Sequence, residues 1–119
     1  MLAIAFHPDW KRNRQFYIYY TSCDTPRNFR EDRLARFLIS ETDPNLGDPA
    51  SEVQLFAQSD DARNHNGGEL AFGPDGYLYL SLGDEGGAND EYNNGQRIDR
   101  DFFAGILRLD VDKKPGSKA

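Results

Sequence analysis

The sequence predicts an all-β fold of repeated antiparallel sheets. Three observations carry that expectation. Residues 69–72 and 77–82 read as a strand pair closed by Gly73-Pro74-Asp75-Gly76. A second such pair stands earlier in the chain, at Leu2-Ala3-Ile4-Ala5-Phe6 and Phe16-Tyr17-Ile18-Tyr19-Tyr20-Thr21. Six prolines and eleven glycines punctuate short β-rich runs along the 119 residues, a length suited to one small domain.

Taken in order, the first strand is residues 2–6, and His7-Pro8-Asp9 turns the chain. The second strand follows from Phe16, where aromatic and β-branched side chains suit a pleated, half-buried surface. Residues 33–39 form a third strand and residues 52–57 a fourth. Between these two, Asp43-Pro44-Asn45-Leu46-Gly47-Asp48-Pro49 is turn chemistry. In the later pair, Pro74 presets φ for a turn and Gly76 accepts a positive φ. Gly105-Ile106-Leu107-Arg108-Leu109-Asp110-Val111 closes the series as a loose counterpart of residues 33–39. Lys113-Lys114-Pro115-Gly116-Ser117-Lys118 has linker composition.

The two halves repeat one another. Ala5-Phe6-His7-Pro8-Asp9 matches Ala71-Phe72-Gly73-Pro74-Asp75, and Phe16-Tyr17-Ile18-Tyr19 matches Tyr77-Leu78-Tyr79-Leu80. Each copy reads strand, Pro-Asp turn, strand, long loop, strand, and the first copy adds a fourth strand. Four-stranded antiparallel units repeated along a chain are the blades of a β-propeller. The expected organisation is one blade over about residues 2–57, three strands of a second over about 68–112, and a tail, 113–119. Such a piece leaves sheet faces and an open strand edge uncovered, so self-association is expected. The strands 16–20 and 77–82 should present aromatic surface there.

Strand order also places the loops. In a meander, loops 58–68 and 83–105 emerge on one face, and the Pro-Asp turns on the other. Loops of that length are more often functional than plain connectors. His65 enters the 69–82 hairpin and Asp84 leaves it at the same end. Their imidazole and carboxylate are therefore expected within hydrogen-bond reach, directly or through one water, as a base and its orienting acid. Taken from the pattern alone, a loop histidine beside a turn-forming aspartate is the commoner meaning of such a pair.

Composition narrows the classes. A net charge of −6 argues against a nucleic-acid surface. No apolar run approaches the length of a membrane helix, and Met1-Leu2-Ala3-Ile4-Ala5-Phe6 lacks the basic leading segment of a secretory signal. Cys23 is the sole cysteine, so no intramolecular disulfide can form, and it reads as an incidental thiol. His7, in a turn on the face away from His65, reads as structural; Lys11, Arg12 and Arg14 read as a solvated loop. Asp84, Glu85, Asn89, Asp90 and Glu91 could offer oxygen ligands to a hard cation, although their spacing is not that of an EF-hand.

These motifs, together with Asn64-His65-Asn66-Gly67-Gly68, Gly83-Asp84 and Gly105-Ile106-Leu107-Arg108-Leu109-Asp110-Val111-Asp112, resemble the pyrroloquinoline quinone (PQQ)-dependent glucose/sorbosone dehydrogenases, the soluble aldose sugar dehydrogenases. The resemblance spans nearly the whole chain. It implies a six-bladed propeller with PQQ at the top of the central channel, calcium beside it, a sugar as substrate, and a periplasmic or secreted setting. It also implies that His65 is the general base for the sugar's anomeric hydroxyl and that Asp84 hydrogen-bonds it. It implies too that Asn64 matches a position that contacts substrate or cofactor, and Asn89 one where an amide side chain reaches the quinone. A full member has several hundred residues, so the chain is expected to be a fragment of about two blades. The family's calcium ligands and its basic residues for the quinone's carboxylates are not assignable in it. The alternative is a non-catalytic propeller module that binds proteins or glycans, which has no need of both His65 and Asp84.

Overall fold

A computed structural model describes residues 1–24 and 29–113. The elements are β1 (Ala3–Phe6), a single helical turn α1 (Trp10–Asn13), β2 (Gln15–Asp24), β3 (Phe29–Ile39), β4 (Gly47–Ser59), β5 (Gly67–Phe72), β6 (Leu78–Leu82) and β7 (Ile106–Leu109). They form two antiparallel meanders: a four-stranded sheet in the order β1-β2-β3-β4 and a three-stranded sheet in the order β5-β6-β7. The all-β class and the partial-propeller arrangement are thus present. The proposed tail lies outside the described residues beyond Lys113.

The strands run longer than hydrophobic pattern alone suggests. β3 starts at Phe29 rather than Arg33, because Arg30, Glu31 and Asp32 continue the ladder opposite β2. β4 spans Gly47–Ser59 rather than 52–57. Its pairing with β3 is interrupted at Leu34/Ala35 and Arg36/Leu38. Pro49 sits in this strand, where an outer position lets a residue without an N–H remain in the sheet.

The core lies between the two sheets. Tyr17, Tyr19 and Leu34 from the first pack against Leu70, Leu78, Leu80 and Leu82 from the second. β6 buries every second residue, the period that points one face of a strand inward. Each of these leucines contributes about 1.5–3 kcal/mol by burial. The edge of Phe72 meets Tyr17 at 5.7 Å between ring centroids and His7 at 5.3 Å. This corrects one expectation: Tyr17 and Tyr19 are fully covered by the second sheet rather than left open. Uncovered apolar side chains include instead Ile4 and Phe6 on the first sheet's far face, Trp10 in α1 and Ile106 on the second sheet's far face.

His7 is buried and structural. Its Nδ1 accepts from the Asp9 amide at 3.0 Å and faces Asn13 Nδ2 at 2.8 Å, while Nε2 lies 3.0 Å from Asp112 Oδ1. It ties the β1–β2 turn to the segment after β7.

Candidate functional site

The site is built where β5 begins and β6 ends. Gly67 pairs with Leu82, so the residues just outside that pair are held together. His65 Nδ1 lies 3.0 Å from Asp84 Oδ1. The imidazole is about half exposed, at 47%, and Asp84 is partly covered, at 36%. A carboxylate at that distance keeps the proton on Nδ1 and leaves Nε2 with a lone pair. Among the described residues Nε2 has no hydrogen-bond partner, so it is open to accept a proton from outside.

The backbone enforces this meeting. The Glu85 amide donates to the His65 carbonyl at 3.3 Å, and the Ala104 amide to the Gly83 carbonyl at 2.7 Å. A Cβ on Gly83 would run into the His65 carbonyl, so only glycine allows the two chains so close. His65 itself takes a left-handed conformation, φ 58°, and Gly67 has φ 87°. A non-glycine residue there carries local strain.

Beneath the pair sits a buried polar network that the sequence pattern did not reveal. Asp32, Asp60, Asn66, Glu85 and Asn94 are all buried. Asn66 Nδ2 donates to Asp32 Oδ1 at 3.2 Å and to Asp60 Oδ2 at 2.9 Å. Tyr19 Oη donates toward Asp32 Oδ2 and the Asn66 carbonyl, each at 3.0 Å, and Thr21 Oγ1 donates to Asp32 Oδ1 at 2.7 Å. Glu85 Oε1 accepts from the amides of Asp61 and Ala62. Asn94 Nδ2 donates to the Asp84 carbonyl at 2.9 Å and reaches Glu85 Oε2 at 3.3 Å. Both neighbours of the site pair, Asn66 and Glu85, are therefore anchored. Burial, reinforced by Asp32, pushes the Asp60 carboxyl up to about 6, against the lowering effect of Asn66, the Ala62 amide and Arg30. Burial and then Asp32 also raise the Tyr19 hydroxyl strongly. One signal could have found Asp32: it stands two residues before the core Leu34, so it shares that inward face.

The two long loops pack together, as their strand order requires. The Phe102 amide donates to Gln58 Oε1 at 3.2 Å, and the Phe56 and Phe102 rings meet edge to face at 5.5 Å. Asn64 and Asn89 are both exposed, and among the described residues no side-chain hydrogen bond links either to His65 or Asp84. The carboxylates considered for a hard cation serve the loop's own backbone: Asp90 takes the Asn94 and Gly95 amides, and Glu91 the Gly87 amide. Among the described residues no group of three or more acidic, histidine or cysteine side chains could hold a metal ion.

Near the pair, Arg30 lies 3.6 Å from Asp60 and Arg97 2.6 Å from Asp101, while Arg63, two residues before His65, is exposed. What fold and site define together is a propeller-type pair of sheets presenting a carboxylate-oriented histidine on its loop face. The chain belongs to the glucose/sorbosone dehydrogenase family, whose family model matches residues 1–117. It is 33% identical to mouse (Mus musculus) Hedgehog-interacting protein over 94% of the chain and 16% of that protein. It is 28% identical to the HIPL1 protein of Arabidopsis thaliana over 98% of the chain and 21% of that protein. To quinoprotein glucose dehydrogenase B of Acinetobacter calcoaceticus it is 31% identical, over 72% of the chain and 18% of that protein. The chain spans about a fifth or less of the length of these relatives.

Proposed function

We propose that this chain is the part of a PQQ-dependent aldose dehydrogenase that supplies the general base. The supporting observation is the 3.0 Å contact of His65 Nδ1 with Asp84 while Nε2 stays open. In the proposed step the sugar's anomeric hydroxyl hydrogen-bonds to Nε2. His65 takes the proton from that oxygen as hydride leaves the anomeric carbon that bears it, which is thereby oxidised by two electrons to a carbonyl. Asp84 steadies the imidazolium that forms. A bound quinone would supply the two-electron acceptor for that hydride, and calcium is the metal the family resemblance implies. Asn64 and Asn89 serve as side chains toward substrate or cofactor, and the setting is periplasmic or secreted.

In an intact propeller carrying these residues, His65→Ala lowers turnover by about 10²–10⁴. Its quinone affinity stays within a few-fold of the parent, because the base acts on the reacting proton. Asp84→Asn costs less, since it removes the orienting charge and leaves the base. Unchanged turnover in the histidine variant, or collapse of quinone affinity alone, overturns the assignment.

A second reading is favoured by the likeness to Hedgehog-interacting protein, whose name states an interaction with another protein. On that reading the chain is a non-catalytic module that binds proteins or glycans. His65→Ala would then leave partner binding to be decided by exposed side chains outside the pair, and no sugar oxidation would be found in the parent protein.

A further inference from the structure

We propose that Asn66 and Glu85 are positioning residues for the His65–Asp84 pair, both gripped by one clasp, the loop segment 60–62; their bearing on turnover rests on His65 being the base. Each member of the pair is followed in the chain by a buried polar residue, His65 by Asn66 and Asp84 by Glu85. Both reach the same short segment. Asn66 Nδ2 donates to Asp60 Oδ2 at 2.9 Å. Glu85 Oε1 accepts from the Asp61 amide and, at 3.2 Å, from the Ala62 amide. The Ala62 amide also donates to Asp60 Oδ1 at 3.1 Å, so one N–H joins the carboxylate on the His65 side to the carboxylate on the Asp84 side. The clasp is in turn pinned to β3. The Asp60 amide donates to the Arg30 carbonyl at 3.1 Å, and the Arg30 guanidinium donates to the carbonyls of Ala62 at 3.1 Å and Asp61 at 2.7 Å.

The backbone of the pair needs such a hold. His65 has φ 58° and Glu85 φ 61°, the left-handed region that residues with a Cβ rarely adopt. Without an outside grip these segments relax toward extended or right-handed backbone, and the imidazole and carboxylate part. Asn66 is held at both ends. Its side-chain nitrogen faces Asp32 Oδ1 at 3.2 Å as well as Asp60, and its carbonyl lies 3.0 Å from the Tyr19 hydroxyl. Two acceptors around one nitrogen fix the orientation of the amide, and each of its two N–H groups has its own carboxylate. Buried carboxylates this close repel one another, so the place between them calls for a double donor. On the other side Asn94 Nδ2 bridges the Asp84 carbonyl at 2.9 Å and Glu85 Oε2 at 3.3 Å, which ties the acid's own backbone to the gripped side chain.

The test uses the intact protein that carries these residues and reads the nitrogen-15 shifts of the His65 ring together with sugar turnover. Asn66→Asp keeps the shape and puts a third carboxylate where the double donor stood. Glu85→Ala removes the acceptor for both amides, and Glu85→Gln keeps it. Thr21→Val removes a bond to Asp32 that reaches neither Asn66 nor Glu85. Asn66→Asp and Glu85→Ala are each expected to move the ring from the Nδ1–H form toward Nε2–H. Turnover is expected to fall by about 10²-fold, as for a misplaced reacting group, with quinone affinity within a few-fold of the parent. Glu85→Gln is expected to keep the parent ring form, and so is Thr21→Val although it melts earlier. Should Asn66→Asp fail to melt cooperatively, Asn66→Ser takes its place beside the Glu85 variants. An unmoved ring in either the Asn66 variant or Glu85→Ala, no rescue by Glu85→Gln, or an equal move in Thr21→Val would overturn the clasp. A parent without sugar oxidation, or moved rings with turnover intact, would instead count against His65 as the base, and the ring forms would still decide the clasp.

Discussion

At Gly83 the close approach of two backbones decides whether the site exists. The glycine lets the His65 carbonyl pass where a side chain would stand, and a Cβ there would also lie 2.9 Å from the Gly67 nitrogen. Gly83→Ala must push the two strand ends apart, and overpacking of this kind costs about 1–3 kcal/mol. We expect a lower melting temperature together with loss of the His65–Asp84 contact, read by the histidine ring resonances. A variant that melts like the parent and keeps the contact would show that the loop relaxes without cost. The pair was legible in the sequence because a hairpin fixes which residues share its open end. Asn66, Asp60 and Asp32 were not, because their meeting depends on the 58–68 loop folding back onto β3, which no local period encodes.

Elements bind the site through that same buried network and through the leucine face of β6. Burial raises Asp60 from 3.8 to about 6, so the folded chain holds this proton more tightly than the unfolded chain does. Its favourable contribution is complete below about pH 4 and is lost as pH rises through about 6. Urea unfolding across that window should show a falling component that Asp60→Asn abolishes. The same slope in the variant would place the titration elsewhere. Leu80, fully buried between the sheets, should cost about 2–5 kcal/mol when cut to alanine, measured by the same unfolding. A cost under about 1 kcal/mol would mean the sheets are not packed as described. Strand existence and order were readable from the repeated Pro-Asp turns. Strand ends were not: β3 begins at Phe29 and runs through the polar Arg30-Glu31-Asp32, whose ladder pairing with β2 is invisible to hydrophobic pattern.

At the scale of the whole molecule, the fold presents the His65–Asp84 pair on a chain of net negative charge. A net charge of −6 opposes an anionic quinone. We expect the 119-residue chain alone to show no tight PQQ binding by fluorescence titration and no sugar oxidation, with or without calcium. Tight binding by a stable monomer would mean that this chain is a self-sufficient domain. Family membership extends along residues 1–117, and the chain covers 16–21% of these relatives.

The central claim is that Asp84 holds the His65 proton on Nδ1 and so makes Nε2 the base. Nitrogen-15 chemical shifts of the His65 ring, taken where the imidazole is neutral, read this directly. The account predicts the Nδ1–H tautomer in the parent and a shift toward Nε2–H, the form free histidine prefers, in Asp84→Asn. A parent ring already protonated at Nε2, or one indifferent to the Asp84 substitution, would contradict it.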